Sequence, residues 1–336
     1  MNSKFKNRMD IKQKSQLFKE IGYQIGFDKI GIARAGLAPK AEFLEKWLAN
    51  GKHGTMTWME KHKEIRKDLR QFFPEARSVI MVALNYYTPH PIKTIPQTAK
   101  ISRYAWGSDY HKILKKMLKR FLEKLQSIDP NIRGRVFVDS APVMEKQWAV
   151  QAGLGWQGKN TNLLTRDLGS WLFLGGLAIN QELVYDHPTQ DYCGNCDACV
   201  TACPTNALEP YVLDPTKCIS YLTIEYRGTE LPTTLKDKLE NWVFGCDICQ
   251  DVCPWNRFAK KTHEPRFNPK DQKMVNPPLD FLAQLKEDEF DSFFAGTPVR
   301  RAKYHNFMQN LMAIIDQQTK QQDKQVKNTP VVHDKD

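Results

Sequence analysis

Eight cysteines lie between Cys193 and Cys253, and the rest of the 336-residue chain has none. They form two runs and a singleton: "CGNCDACVTACP" from Cys193, "CDICQDVCP" from Cys246, and Cys218 alone in "KCISYLTIE". The first run, Cys193, Cys196, Cys199 and Cys203-Pro204, has the spacing C-x2-C-x2-C-x3-C-P. In bacterial two-cluster ferredoxins that run gives three thiolates to one cubane and its fourth to the other. Small residues (Gly194, Ala198 and Ala202) let backbone wrap a cluster, and the proline turns the chain away. The second run has only Cys246, Cys249 and Cys253-Pro254, one ligand short of its share. Cys218 is the only cysteine left to fill it. The count closes with Cys193, Cys196, Cys199 and Cys253 on one [4Fe–4S] cluster, and Cys203, Cys218, Cys246 and Cys249 on the other. Two zinc sites would also take eight thiolates, but zinc ribbons use cysteine pairs, not a triplet followed by C-x3-C-P. Two [4Fe–4S] clusters are therefore expected.

A secreted disulfide framework spreads its cysteines through a small, loop-rich chain; long stretches here have none. Metal-held thiolates in a reducing cytosol are the better account, so a cytoplasmic location is expected. The N-terminus "MNSKFKNRMDIKQKSQ" is basic with no apolar segment behind it, and does not read as a signal peptide. The one Arg-Arg pair, Arg300-Arg301, lies far inside. No run of about 18 apolar residues marks a membrane helix. Lys and Arg number 49 against 38 Asp and Glu, a formal net charge of +11. Such a balance is either an ordinary basic surface or the footprint of a polyanion, nucleic acid or anionic membrane.

Before the cysteines, strand and helix patterns alternate. "KIGIARA", "RSVIMVALNYY", "RVFVDS" and "SWLFLGGLAI" read as strands, the second apolar throughout, as in a strand covered on both faces. "MDIKQKSQLFKEIGYQIGF", "AEFLEKWLANG", "HKILKKMLKRFLEKL" and "APVMEKQWAVQAG" read as helices, the last with Pro142 near its first turn. The alternation predicts an α/β (α+β) layer domain over residues 1–182. A ferredoxin-like double-cluster domain follows over 183–262, then a short helical region over 263–316. The polar, low-complexity stretch 317–336 reads as a disordered tail.

Two patterns hint at chemistry. "GLGWQGKNT" holds Gly153, Gly155 and Gly158, a formal G-x-G-x-x-G. A dinucleotide fingerprint must follow a strand and open a helix. Here a helix precedes it and no acidic residue lies about 20 residues on, so a Rossmann reading is rejected. The glycines still suggest backbone close to a ligand, with Lys159 and Asn160 beside it. Asp139 ends a strand, where α/β sheets place ligands, although an aspartate there is often only a helix cap.

"SRYAWGSDYH", "VDSAPVMEKQWAVQAGLGWQGKN" and "CGNCDACVTACPTNAL" with "CISYLTIE" and "FGCDICQDVCPWN" resemble the epoxyqueuosine reductase family of the tRNA queuosine pathway. The likeness runs from about residue 10 to residue 305. It implies a cobalamin-binding N-terminal domain beside a domain with two [4Fe–4S] clusters. The implied reaction reduces the epoxide of epoxyqueuosine to queuosine at the wobble position of a tRNA anticodon. The resemblance puts the proton donor on Asp139. It puts cobalamin contacts at Arg66, Ser102, Asp139, Lys146, Gln157, Lys159, Asn160, Leu163, Ser220 and Asp247. A tRNA anticodon stem-loop as partner gives the basic balance a purpose, with Arg227 and the residues around Arg300 as candidate contacts. A monomer fed by an external electron donor, with no membrane partner, is expected.

Opening an epoxide reductively takes two electrons and a proton, so an acid must stand near the breaking bond. For Asp139 to be that acid, burial beside the corrin must lift its pKa well above ~3.9, so that it holds a proton at neutral pH. The base-off cobalamin motif D-x-H-x-x-G is nearly met by "DYHKIL", but Leu114 replaces the glycine, and no cobalt ligand is expected from that segment. Many family members continue into HEAT-like repeats where this chain turns polar. Three other readings exist: a cobalamin-dependent reductase of dehalogenase type, a ferredoxin-type electron carrier, and a tRNA-binding module with structural clusters. The carrier leaves the long α/β domain unexplained.

Overall fold

The structure, a computed structural model, describes residues 9–328; the first eight residues and the last eight, including the end of the expected tail, lie outside it. The four expected strands form one sheet. β1 (Lys29–Arg34), β2 (Ser78–Asn85), β3 (Gly134–Val138) and β4 (Leu172–Ile179) are ordered β1-β2-β4-β3. Every pairing is antiparallel, so helix–strand alternation in the sequence does not become a parallel sheet.

β2 is buried at every position. Ile80, Val82 and Leu84 enter a core with Phe18 and Ile21 of α1 (Ile11–Ile25) and Leu118 and Phe121 of α2 (Tyr110–Ile128). Val79, Met81 and Ala83 enter the opposite core with Trp148 and Ala149 of α3 (Glu145–Gln151). Successive side chains of a strand point to opposite faces, so helices on both sides require an unbroken apolar strand. α1 begins with a capping box: Asp10 accepts from the Gln13 amide at 2.7 Å and the Gln13 side chain accepts from the Asp10 amide. α2 buries Ile113, Leu114, Leu118, Phe121 and Leu125 and leaves its lysines in water. α3 starts later than expected. Pro142 lies in a loop, Asp139 to Met144, rather than in the first turn.

A third core lies beyond the sheet. Ala99, Ile101 and Trp106 pack there with Trp242, Phe244, Phe290 and Phe307. Strand Trp242–Phe244 pairs in parallel with Lys100–Ile101. By packing, the segment around residue 100 therefore joins the C-terminal half. In that half α4 (Ile219–Ile224) follows directly on Cys218, and α5 runs over Tyr304–Asn328. Buried Asn310 of α5 donates to the carbonyls of Thr223 (3.0 Å) and Val243 (3.1 Å).

The expected disorder from residue 317 is corrected by α5, which continues to Asn328. Gln318 is buried; it accepts from the Gln97 amide at 3.0 Å and donates to the Thr98 carbonyl. Gln317 donates to the Asp237 carbonyl at 2.9 Å. The polar side chains satisfy turn backbone, a use that composition does not disclose. No helix among the described residues is long and apolar enough to cross a membrane.

Candidate functional site

Each cysteine run is a loop closed by one helical turn, Ala198–Thr201 in the first and Ile248–Asp251 in the second. Two cavities result. The outer, about 200 Å3, is lined by Cys193, Cys196, Cys199 and Cys253. The inner, about 230 Å3, is lined by Cys203, Cys218, Cys246 and Cys249. Each set therefore mixes thiols of the two runs, and Cys218 reaches the inner set as the residue preceding α4. Gly245 (φ +70°) brings the second run in; a Cβ there would lie 2.4 Å from that of Ser102. Burial pushes the Cys246 and Cys249 thiols well up. As thiolates they need cationic company, which the iron of a cluster supplies. Among the described residues no three His, Cys, Asp or Glu side chains close on one ion position. Each set of four thiols lines a cavity, the arrangement a cubane requires.

The glycine-rich segment straps the two runs together. Lys159 Nζ donates to the Gly194 carbonyl (2.8 Å) and Asn160 Nδ2 to that of Cys249 (3.1 Å). Its glycines approach protein rather than an open ligand site, which corrects the expectation. A Cβ on Gly155 would lie 2.0 Å from the Leu164 carbonyl oxygen.

Lys146 lines the inner cavity and also a neighbouring cleft of about 290 Å3, with Arg66, Glu145, Gln157 and Trp47. Of the other residues singled out by sequence, Ser102, Asn160 and Ser220 line the inner cavity, and Lys159 and Asn160 the outer. Leu163 belongs to a hydrophobic core. Asp247 is buried, and its carboxylate accepts from the Ser102 hydroxyl and the Arg103 amide. Arg227 donates to the carbonyls of Ile224, Tyr226 and Arg301, latching α4 to the C-terminal segment. In the cleft, Arg66 Nε and Glu145 Oε1 are buried without a partner. Burial first, and then the charge of Asp139, push Glu145 up to about 8.

Asp139 ends β3 and caps no helix; 62% of its side chain is open to solvent. Protein nevertheless rings it: Arg66, Lys146, Tyr104 and Arg301 all feel its charge. Its Oδ2 lies 3.0 Å from His111 Nε2, and His111 Nδ1 lies 2.7 Å from Asp109 Oδ1. Both ring nitrogens are thus engaged by carboxylates. Burial opposes charge on His111, but hydrogen bonds to Asp109 and Asp139 outweigh it and push its pKa up to about 9. Burial would raise Asp139, but the His111 hydrogen bond and charge win and hold it below the usual carboxylate range. The protein neighbours of Asp139 do not themselves produce the expected rise: the His111 contact favours the carboxylate and the histidine cation. Sequence reasoning missed His111 and Glu145 as working groups. Asp-x-His at a helix start was the available signal for the first; no signal marked the second.

A mixed α/β domain that carries two four-thiol cavities up to a charged cleft defines an iron–sulfur oxidoreductase. Residues 66–140 match the family described as "Epoxyqueuosine reductase QueG, DUF1730", and residues 192–256 the "4Fe-4S double cluster binding domain". An epoxyqueuosine reductase of Cellulophaga algicola is 44% identical over 306 residues, 90% of this chain and 99% of the relative. A crystal structure of epoxyqueuosine reductase with a tRNA-Tyr epoxyqueuosine-modified stem loop matches with TM-score 0.83 and 28% identity, over 91% of this chain and 82% of that one. The Bacillus subtilis enzyme, with an aspartate catalytic loop swung out of its active site, matches with TM-score 0.81 and 27% identity over the same shares. The chain belongs to the epoxyqueuosine reductase family.

Proposed function

We propose that this chain removes the epoxide oxygen of epoxyqueuosine in a tRNA stem-loop, leaving queuosine, with Asp139 as the group that protonates the leaving oxygen. The observation that carries this reading is the position of Lys146, which lines both the inner thiol cavity and the cleft and feels the charge of Asp139. When bound, two [4Fe–4S] clusters in the thiol cavities supply electrons one at a time, and a cobalamin in the cleft supplies a metal centre for the epoxide. The cleft suits an amide-fringed macrocycle: Trp47, Phe43 and Met59 give an apolar wall, and the unpartnered Arg66 Nε and Glu145 Oε1 give polar ends.

Lys112, Arg300 and Lys303 line a polar recess with Asp109, Glu287 and Asp291, in which Arg300 pairs with Asp291, and Arg301 pairs with Glu225 close by. This rim is where the phosphates of a stem-loop would pass to bring its nucleoside to Asp139. Exposed Cys196 makes the outer cavity the natural point of contact for an external electron donor.

The test is single-turnover reduction of epoxyqueuosine in tRNA by protein loaded with clusters and cobalamin. Asp139→Asn keeps the shape but not the proton. It should fold, hold its cofactors, bind tRNA and turn over about 10²- to 10⁴-fold more slowly. Near-normal turnover would move the acid elsewhere. Loss of cobalamin would make Asp139 a binding residue.

A further inference from the structure

Removing an epoxide oxygen as water takes two protons as well as two electrons, and an ionised Asp139 brings neither proton itself. We propose that His111 stores a proton on Nε2 and passes it through Asp139 to the leaving oxygen, with Asp109 as its anchor. The inference rests on the reaction proposed above, and it adds the residue that supplies the acid.

The chain of contacts is continuous. Asp109 caps α2 by accepting from the His111 amide at 3.0 Å, and the same oxygen lies 2.7 Å from His111 Nδ1. One carboxylate thus fixes both the backbone and the ring. The Tyr110 ring stacks 4.0 Å from the imidazole and 4.0 Å from the Phe173 ring, which limits how the histidine can turn. Held so, Nε2 reaches Asp139 Oδ2 at 3.0 Å. The two ends differ in access: the Asp139 side chain is 62% exposed and that of His111 34%. A substrate therefore meets Asp139 first, with the histidine behind it.

The surroundings set the sign of the charge. A helix N-terminus disfavours a cation, and His111 sits in the first turn of α2. Lys112 on the same helix acts on Asp109. From the facing elements Arg66, Lys146 and Arg301 act on Asp139. Glu145, pushed up to about 8, is mostly neutral at pH 7. The hydroxyls of Tyr104 and Tyr110 stay protonated, because burial raises both well above their ordinary value. The two direct carboxylate contacts prevail, and His111 is a cation at neutral pH. In the step, the Nε2 proton moves to Asp139 Oδ2, and the carboxylic acid so formed gives it to the epoxide oxygen as the first C–O bond breaks. His111 is left neutral, with its remaining N–H on Nδ1 toward Asp109. A second proton enters from water at the exposed Asp139, the second C–O bond breaks, the oxygen leaves as water and a C=C bond forms between the two former epoxide carbons, and the two electrons come from the enzyme's redox groups.

The test follows 15N-histidine signals of the loaded, oxidised protein across pH, alongside single-turnover rates. One imidazole should titrate near pH 9 and vanish from the spectrum of His111→Gln. In Asp109→Asn that midpoint should move to lower pH, since an anion that favours the cation is gone. The rate should fall as pH rises through about 9 in the parent enzyme and at lower pH in Asp109→Asn. His111→Gln keeps a donor toward Asp139 and should retain iron and tRNA binding, but should lose about 10²- to 10⁴-fold in rate. A His111 midpoint near ~6.5, or parent-like turnover in His111→Gln, would overturn the proposal. A parent enzyme inert toward epoxyqueuosine would instead sink the reaction itself, which the titration reads independently.

Discussion

The outer thiol cavity has an exposed cysteine, Cys196, two cationic side chains, Lys159 and Arg257, and an aromatic wall of Tyr192 and Trp255. The inner cavity is lined by Ser102, Tyr104, Lys146 and Ser220, and none of its four cysteines is exposed. Both present four thiols around similar volumes. What differs is the neighbour, solvent for one and the Lys146 cleft for the other. The ligand set decides what group each cavity holds, and the surrounding side chains decide what that group can exchange electrons with.

Breaking one set at a time gives the largest expected effects. Cys246→Ala should lower iron from about eight to about four per chain and abolish turnover, because the set beside the cleft is lost. Cys196→Ala should remove the same amount of iron yet keep measurable turnover with a small, strong reductant that needs no protein docking. Equal loss in the two variants, by iron analysis and single-turnover assay, would end the distinction between them.

Stability should follow the same division on a smaller scale. Asn310→Ala strips donors from the buried carbonyls of Thr223 and Val243, which brace the inner side, and should cost about 1–3 kcal/mol. Arg257→Ala at the exposed outer cavity should stay within about 0.5 kcal/mol. Thermal unfolding compares the two.

The smallest effect concerns tRNA. Arg301→Ala should weaken stem-loop binding several-fold and reduce the salt dependence by about one phosphate contact. Arg257→Ala should change neither. A titration at several salt concentrations that showed the reverse would put the RNA on the outer side.

The cysteine sets were readable because a cluster needs its ligands at short, fixed spacing, and the one displaced ligand could be found by counting. The four strands were readable because β2 carries apolar side chains toward both faces. Strand order and direction were not, since long connections leave either sense open. The His111–Asp139 contact was also hidden, because it joins the start of α2 to the end of β3 and no local pattern links the two. Nor could composition separate the end of α5 from a disordered tail: Gln317 and Gln318 look solvent-loving until the turns whose backbone they satisfy are in place.

The mixed parentage of each thiol set has a consequence for synthesis. A ribosome delivers the first run early, but that run brings three thiols for the outer cavity and one for the inner. The inner set is completed only when Cys249 emerges, and the outer only with Cys253. Metal loading must therefore wait until nearly the whole cysteine region has been made, and a nascent chain stalled anywhere between the two runs can finish neither centre.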